Sequence, residues 1–162
     1  MKKFITIILL LFAFVTNSQT TQTNSQISTR EEVITAPMLV CSNEERSKWF
    51  AILPTFEKFN GLTIKTYVKT LKLNIGKCSK NDVLVFTFIG GKKIKIFANN
   101  EMNCDLTETN VFALNSIDIA FLETRKLESI RYINGNDQSS YLYTLTEKDK
   151  DYFINTFSSY KK

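Results

Sequence analysis

The chain of 162 residues contains no histidine. That absence removes Ser-His and Cys-His nucleophile pairs, His-Asp arrangements, and the common zinc sites that mix imidazole with thiolate or carboxylate. Glycine and proline are scarce, at 5 and 2 residues, which excludes a collagen-like repeat and a low-complexity linker. Three cysteines are too few for a disulfide-dense miniprotein, and they form no C-x-x-C motif. The chain also lacks an apolar run long enough to span a bilayer. The longest, residues 4–15, extends as helix over only about 18 Å against the roughly 30 Å of a hydrocarbon core.

What is present is one domain's worth of chain, 43% apolar and 23% charged, too apolar for a disordered tail. Lys2 and Lys3 precede the apolar run, which only Thr6 interrupts, and Thr16, Asn17 and Ser18 follow it. This is the form of a secretory signal, with cleavage expected after Ser18. Residues 1–18 are therefore read as a signal peptide, residues 19–37 as a flexible polar leader, and residues 38–162 as a single globular domain. The expected location is the periplasm or extracellular space, with no stable membrane anchor after cleavage.

Hydrophobic periodicity assigns an α+β fold dominated by strands: an antiparallel sheet meander with a short helix and a C-terminal amphipathic helix packed on it. Residues 47–59 carry Pro54 in mid-run and read as an edge strand. Ile64, Thr66 and Val68 alternate with polar residues, and so do Leu71, Leu73 and Ile75 in the opposite phase, which predicts a bulge near Lys69 and Thr70. Residues 83–89 read as a central strand covered on both faces. Asn115 or Ser116 is expected to cap a helix through Glu123, with Ile117, Phe121 and Leu122 inward and Asp118 near its positive end. Residues 134–137 (Asn-Gly-Asn-Asp) mark a hairpin between two further strands. Thr146 with Asp149 is expected to cap the last helix, whose stripe is Tyr152, Phe153, Thr156, Phe157 and Tyr160.

Gly90 and Gly91 turn the chain between two strands whose register follows from burial. If Ile89 faces Lys93, then Phe88 pairs with Ile94, Phe86 with Ile96 and Leu84 with Ala98, all on one face. Carried outward, the same ladder sets Cys78 opposite Cys104, at a separation a disulfide tolerates. The expectation is a Cys78–Cys104 disulfide with Cys41 free. The alternative is three reduced, buried thiols.

Nine lysines and one acid, Asp82, lie between Lys58 and Lys95. Lys65, Lys69, Lys72, Lys92, Lys93 and Lys95 form the candidate patch for an anionic partner; the competing reading is an ordinary solvated sheet face. No nucleic acid is expected, because the chain is exported. The polar run from Asn99 to Asp105 with Glu108 resembles a calcium loop only faintly, lacking its glycine and terminal acid, and no metal or cofactor is assigned. Glu44 with Glu45, Asp118 with Glu123, and Glu147 with Asp149 and Asp151 each have a capping or surface role. Tyr132, Tyr141 and Tyr143 read as an aromatic strip or as cross-strand packing. No catalytic residue is assigned. The leading function is a non-enzymatic binding module for an envelope or extracellular component. The alternatives are a histidine-independent hydrolase using carboxylates and a carrier of an apolar ligand.

Overall fold

A computed structural model describes residues 31–42, 48–73, 75, 79–99 and 109–161. In chain order these form β1 (Glu31–Thr35), β2 (Leu39–Ser42), β3 (Trp49–Phe59), β4 (Leu62–Leu73), β5 (Val83–Phe88), β6 (Lys93–Phe97), β7 (Thr109–Ala113), α1 (Ser116–Thr124), β8 (Leu127–Ile133), β9 (Ser140–Thr144) and α2 (Tyr152–Tyr160). The α+β, strand-dominated antiparallel fold is as the periodicity predicts. The strands divide between two sheets instead of forming one meander. In the first, β3 carries β1 and β2 on one side and β4 on the other, with β7 beyond β4; the second has the order β6-β5-β8-β9. One continuous apolar core includes Ile52, Phe56, Val68 and Phe112 from the first sheet and Leu84, Phe86, Ile96 and Ile130 from the second. Each fully buried side chain of this size contributes about 1.5–3 kcal/mol.

Several local expectations change, each for a physical reason. Residues 49–59 form a strand, but an interior one. Pro54 is accommodated because its carbonyl accepts from Ala36 N at 2.9 Å, so its ring nitrogen also points toward the gap between β1 and β2, where no ladder bond is needed. β1 occupies residues expected in the flexible leader, pairing its whole length with β3. β4 runs unbroken through Lys69 and Thr70; the irregularity falls at Glu57 and Lys58, opposite Ile64. Its inner face therefore continues from Thr66 and Val68 to Thr70 and Lys72, leaving Leu71 on the outer face.

The β5–β6 hairpin keeps the expected face but not the expected partners. Phe86 pairs with Ile94 and Leu84 with Ile96, two residues away from the predicted register. A shift of two preserves which side chains are buried, so burial cannot choose between the alternatives. The turn chooses: Phe88 N donates to Lys92 O at 2.8 Å, and the loop is centred on Gly90, with Gly90 and Gly91 at φ of 93° and 83°. The ladder that placed Cys78 opposite Cys104 is thereby overturned, and both cysteines lie outside the described residues.

The two helices contact each other and pack on the core. Asn115 caps α1, accepting from Ile117 N and Asp118 N at 2.9 Å each, while Asp118 Oδ2 accepts from Asn115 N at 3.2 Å. Leu122 is buried and Phe121 lies 5.7 Å from the Phe88 ring, but Ile117 is 66% exposed and does not turn inward. Thr146 precedes a short 3₁₀ turn, residues 147–149, and donates to Asp149 Oδ2 at 2.6 Å; α2 begins three residues later. Along α2, Phe153 meets Phe86 edge-on at 5.4 Å and Phe157 meets Phe56 at 5.5 Å, so this one helix packs against both sheets. Among the described residues no helix is long and apolar enough to cross a membrane.

Candidate functional site

The six candidate lysines separate into four environments. Lys65 and Lys69 lie on the outer face of the five-stranded sheet, with their Nζ atoms 5.8 and 5.6 Å from the Tyr67 ring between them, and Lys65 is 4.0 Å from Glu57. Lys92 closes the β5–β6 turn with its Nζ 5.6 Å from the Phe121 ring. Lys93 and Lys95 stand exposed on the outer face of the four-stranded sheet. Lys72 leaves the patch altogether, because strand parity turns it into the core, where it is only 3% exposed.

Lys93 and Lys95 gain a partner that sequence reasoning missed. The registers across the second sheet align Lys95, Val85, Arg131 and Leu142 on one rung, Lys93, Thr87, Ser129 and Thr144 on the next, and Phe97, Val83, Ile133 and Ser140 on the third. These three rungs carry three cations and no carboxylate. Glu128, the nearest acid in sequence, is the unpaired residue at the β5–β8 bulge. Among the described residues no carboxylate oxygen lies within ion-pairing distance of Lys93, Lys95 or Arg131. Phe97 and Leu142 are 66% and 56% exposed at opposite edges of this face. Arg131 supplies the planar fork that suits carboxylate, sulfate and phosphate. The signal that would have found it is the second-sheet pairing of β5 with β8, which no local pattern announces.

The core end of β4 holds a polar cluster. Asp82 is fully buried and its Oδ2 accepts from Lys72 Nζ at 3.2 Å, from Ser79 N at 3.1 Å, and from Asn110 Nδ2 and Tyr132 Oη; its Oδ1 accepts from Gly135 N at 2.7 Å. Burial, reinforced by the Asp82 carboxylate, pushes the Tyr132 hydroxyl well above its ordinary value, with the Asn110 hydrogen bond opposing. The cluster ties β4 and β7 of one sheet to β8 and the strand-linking turns of the other. Its donors converge on one carboxylate as a structural joint would require.

Three concavities among the described residues bear on these readings. A cleft of about 490 Å³ lies between α1 and α2, lined by Glu123, Thr124, Ile154, Phe157, Ser158 and Lys161. It is a surface cleft between helices and not the internal space between sheet and helix that an apolar-ligand carrier would use. A second, of about 290 Å³, borders Pro37 and the polar face of α2. The third, a slot of about 240 Å³, opens between β9 and the β2–β3 end of the other sheet, with Cys41, Trp49, Tyr141 and Tyr143 in its walls. Asp82 lines none of the three. Tyr141 and Tyr143 thus border a slot, whereas Tyr132, the third member of the expected strip, is fully buried in the polar cluster.

Cys41 is a buried free thiol whose pKa is pushed upward by burial and secondarily by Asp149. Among the described residues no group of three or more His, Cys, Asp or Glu side chains is placed to hold a metal. The expected calcium-like run lies outside the described residues apart from Asn99, as do Glu44 and Glu45. Comparison with protein families, curated proteins and solved structures finds no match.

Proposed function

We propose that this chain is an exported, non-enzymatic binding module that meets an anionic component of the periplasm or extracellular space through the outer face of its four-stranded sheet. The observation that carries this reading is the grouping of Lys93, Lys95 and Arg131 among three aligned rungs that contain no acid. Such a face attracts polyanions over about a Debye length, and the forked guanidinium gives the contact direction. In the same reading, residues 1–18 direct export and are removed. Export also keeps a Cys78–Cys104 disulfide in the proposal on new ground. Asn110 Nδ2 donates to Ser79 O at 3.1 Å, so the residue next to Cys78 touches a residue six positions beyond Cys104. Peptide mapping without reduction is expected to recover the linked pair; a Cys41-linked peptide would refute it.

Retention on immobilised dextran sulfate tests the binding face. The combined Lys93→Glu, Lys95→Glu and Arg131→Glu variant is expected to elute at much lower salt than the wild type. The opposite-face variant Lys65→Glu with Lys69→Glu is expected to shift much less, after allowing for its smaller charge change. Equal shifts per charge would mean that retention follows net charge alone, and the assignment to this face would fail.

A further inference from the structure

We infer that β9 is a docking edge for an extended peptide carrying acidic and apolar residues in alternation. The inference rests on the anionic-partner reading above and adds the partner's chemical class. At the two ends of the β8–β9 ladder, Asn134 N donates to Ser139 O at 2.9 Å and Leu145 N donates to Glu128 O at 3.0 Å. Antiparallel strands alternate hydrogen-bonded and non-bonded pairs, so Tyr141 and Tyr143 direct their backbone groups toward β8. Ser140, Leu142 and Thr144 direct theirs away, and among the described residues no strand pairs with that side.

Edges of this kind are ordinarily guarded by charge, proline, bulges or cover. β6 carries Lys93 and Lys95, β1 carries Glu31 and Glu32, and the β6–β7 corner is joined by Asn99 N donating to Val111 O at 2.8 Å. β9 reads Ser-Tyr-Leu-Tyr-Thr, without charge, proline or bulge. It is thus an unguarded edge of good strand-forming residues.

Its two faces prescribe what an added strand would carry. On the inner side lies the slot between Tyr141, Tyr143, Trp49 and Cys41, which suits an apolar side chain. On the outer side stands Arg131, directly across from Leu142 and long enough to reach over it to a carboxylate on the next strand. Side chains of a strand alternate between faces, so the complement is an extended segment with apolar residues at one parity and Asp or Glu at the other.

The test is calorimetric titration of the purified protein with a short synthetic peptide alternating glutamate and valine, and with its lysine-for-glutamate counterpart. Saturable binding of the acidic peptide alone is expected. Leu142→Pro removes an N–H that faces away from β8, so the β8–β9 ladder keeps its bonds while the edge is blocked; binding should weaken at least about tenfold. Arg131→Glu should weaken it comparably. Should Leu142→Pro fail to fold, the acidic peptide N-methylated on alternate residues serves instead, and it should not bind wild type. Undiminished binding to Leu142→Pro, undiminished binding of the N-methylated peptide, or no binding of the acidic peptide overturns the inference. So does a wild-type dimer that Leu142→Pro converts to monomer, which would make a second copy the occupant. Persistence of Arg131-dependent retention on dextran sulfate in any of these cases leaves the anionic-face reading standing and removes only the docking edge.

Discussion

Lys72 donates to Asp82 at 3.2 Å with both side chains essentially excluded from water. The Lys72 Nζ also lies 5.0 Å from the Tyr132 ring, whose hydroxyl binds the same carboxylate. A buried pair of this kind is weak evidence for net stabilisation, but removing one partner strands the charge of the other. The two ends are not equivalent, because Asp82 has further donors in Ser79, Asn110, Tyr132 and Gly135.

That asymmetry gives the first prediction. Asp82→Ala is expected to lower stability by about 3–5 kcal/mol, and Lys72→Met by less, because the carboxylate retains its other donors. Urea unfolding of both variants checks the order. A larger loss for Lys72→Met would contradict the role of Asp82 as the joint's centre.

Gly135 is required for close approach. A Cβ there would meet Asn81 C at 2.4 Å and Asn81 O at 2.6 Å, both backbone atoms that cannot rotate away. Its amide meanwhile holds Asp82 Oδ1. Gly135→Ala is expected to cost about 1–3 kcal/mol through overpacking. An unchanged denaturation midpoint would show that this turn yields freely.

Alkaline pH is expected to destabilise the fold. Burial raises the Cys41 thiol above its ordinary value of 9.0 and the Tyr132 hydroxyl above 10.0. Because both groups keep their protons longer folded than unfolded, their contribution is complete below those ordinary values. It declines as pH rises past them, by about 1.4 kcal/mol per pH unit for each group. Unfolding free energies measured at increasing pH should fall from about pH 9 upward, and Cys41→Ala should flatten the first part of that fall. An identical slope in the variant would exclude the thiol as a contributor.

Within α1, Ile117 and Leu122 should behave oppositely. Leu122 is wholly buried and Ile117 is largely exposed. Leu122→Ala is expected to cost about 2–5 kcal/mol and Ile117→Ser to stay within about 0.5 kcal/mol. Comparable losses in thermal denaturation would place Ile117 against a partner after all.

The hairpin of Ile133 and Ser140, the Asn115 cap and the stripe of Phe153 and Phe157 were all legible because each depends on residues a few positions apart. The β5–β6 register was legible only in its parity. Two alternatives bury the same faces, and the choice lay in the backbone of Gly90 and Gly91. Lys72 illustrates a different difficulty. Alternation places it with Val68 and Thr70, yet a lysine at a core position is implausible until the carboxylate of Asp82, from the connection between β4 and β5, is brought to it.

The sequence by itself determined the α+β class, the strand alternation, the helix cap and the direction of most apolar side chains, since periodicity and local hydrogen bonding suffice for these. Only the tertiary structure decided that the strands form two sheets, that Lys72 belongs to the core, that Arg131 joins Lys93 and Lys95, and that β9 is left at an edge. Each of those follows from pairing between strands distant in the chain, such as β5 with β8 and β4 with β7. Such pairings are fixed by collective burial across the whole core, and no short stretch of residues encodes them.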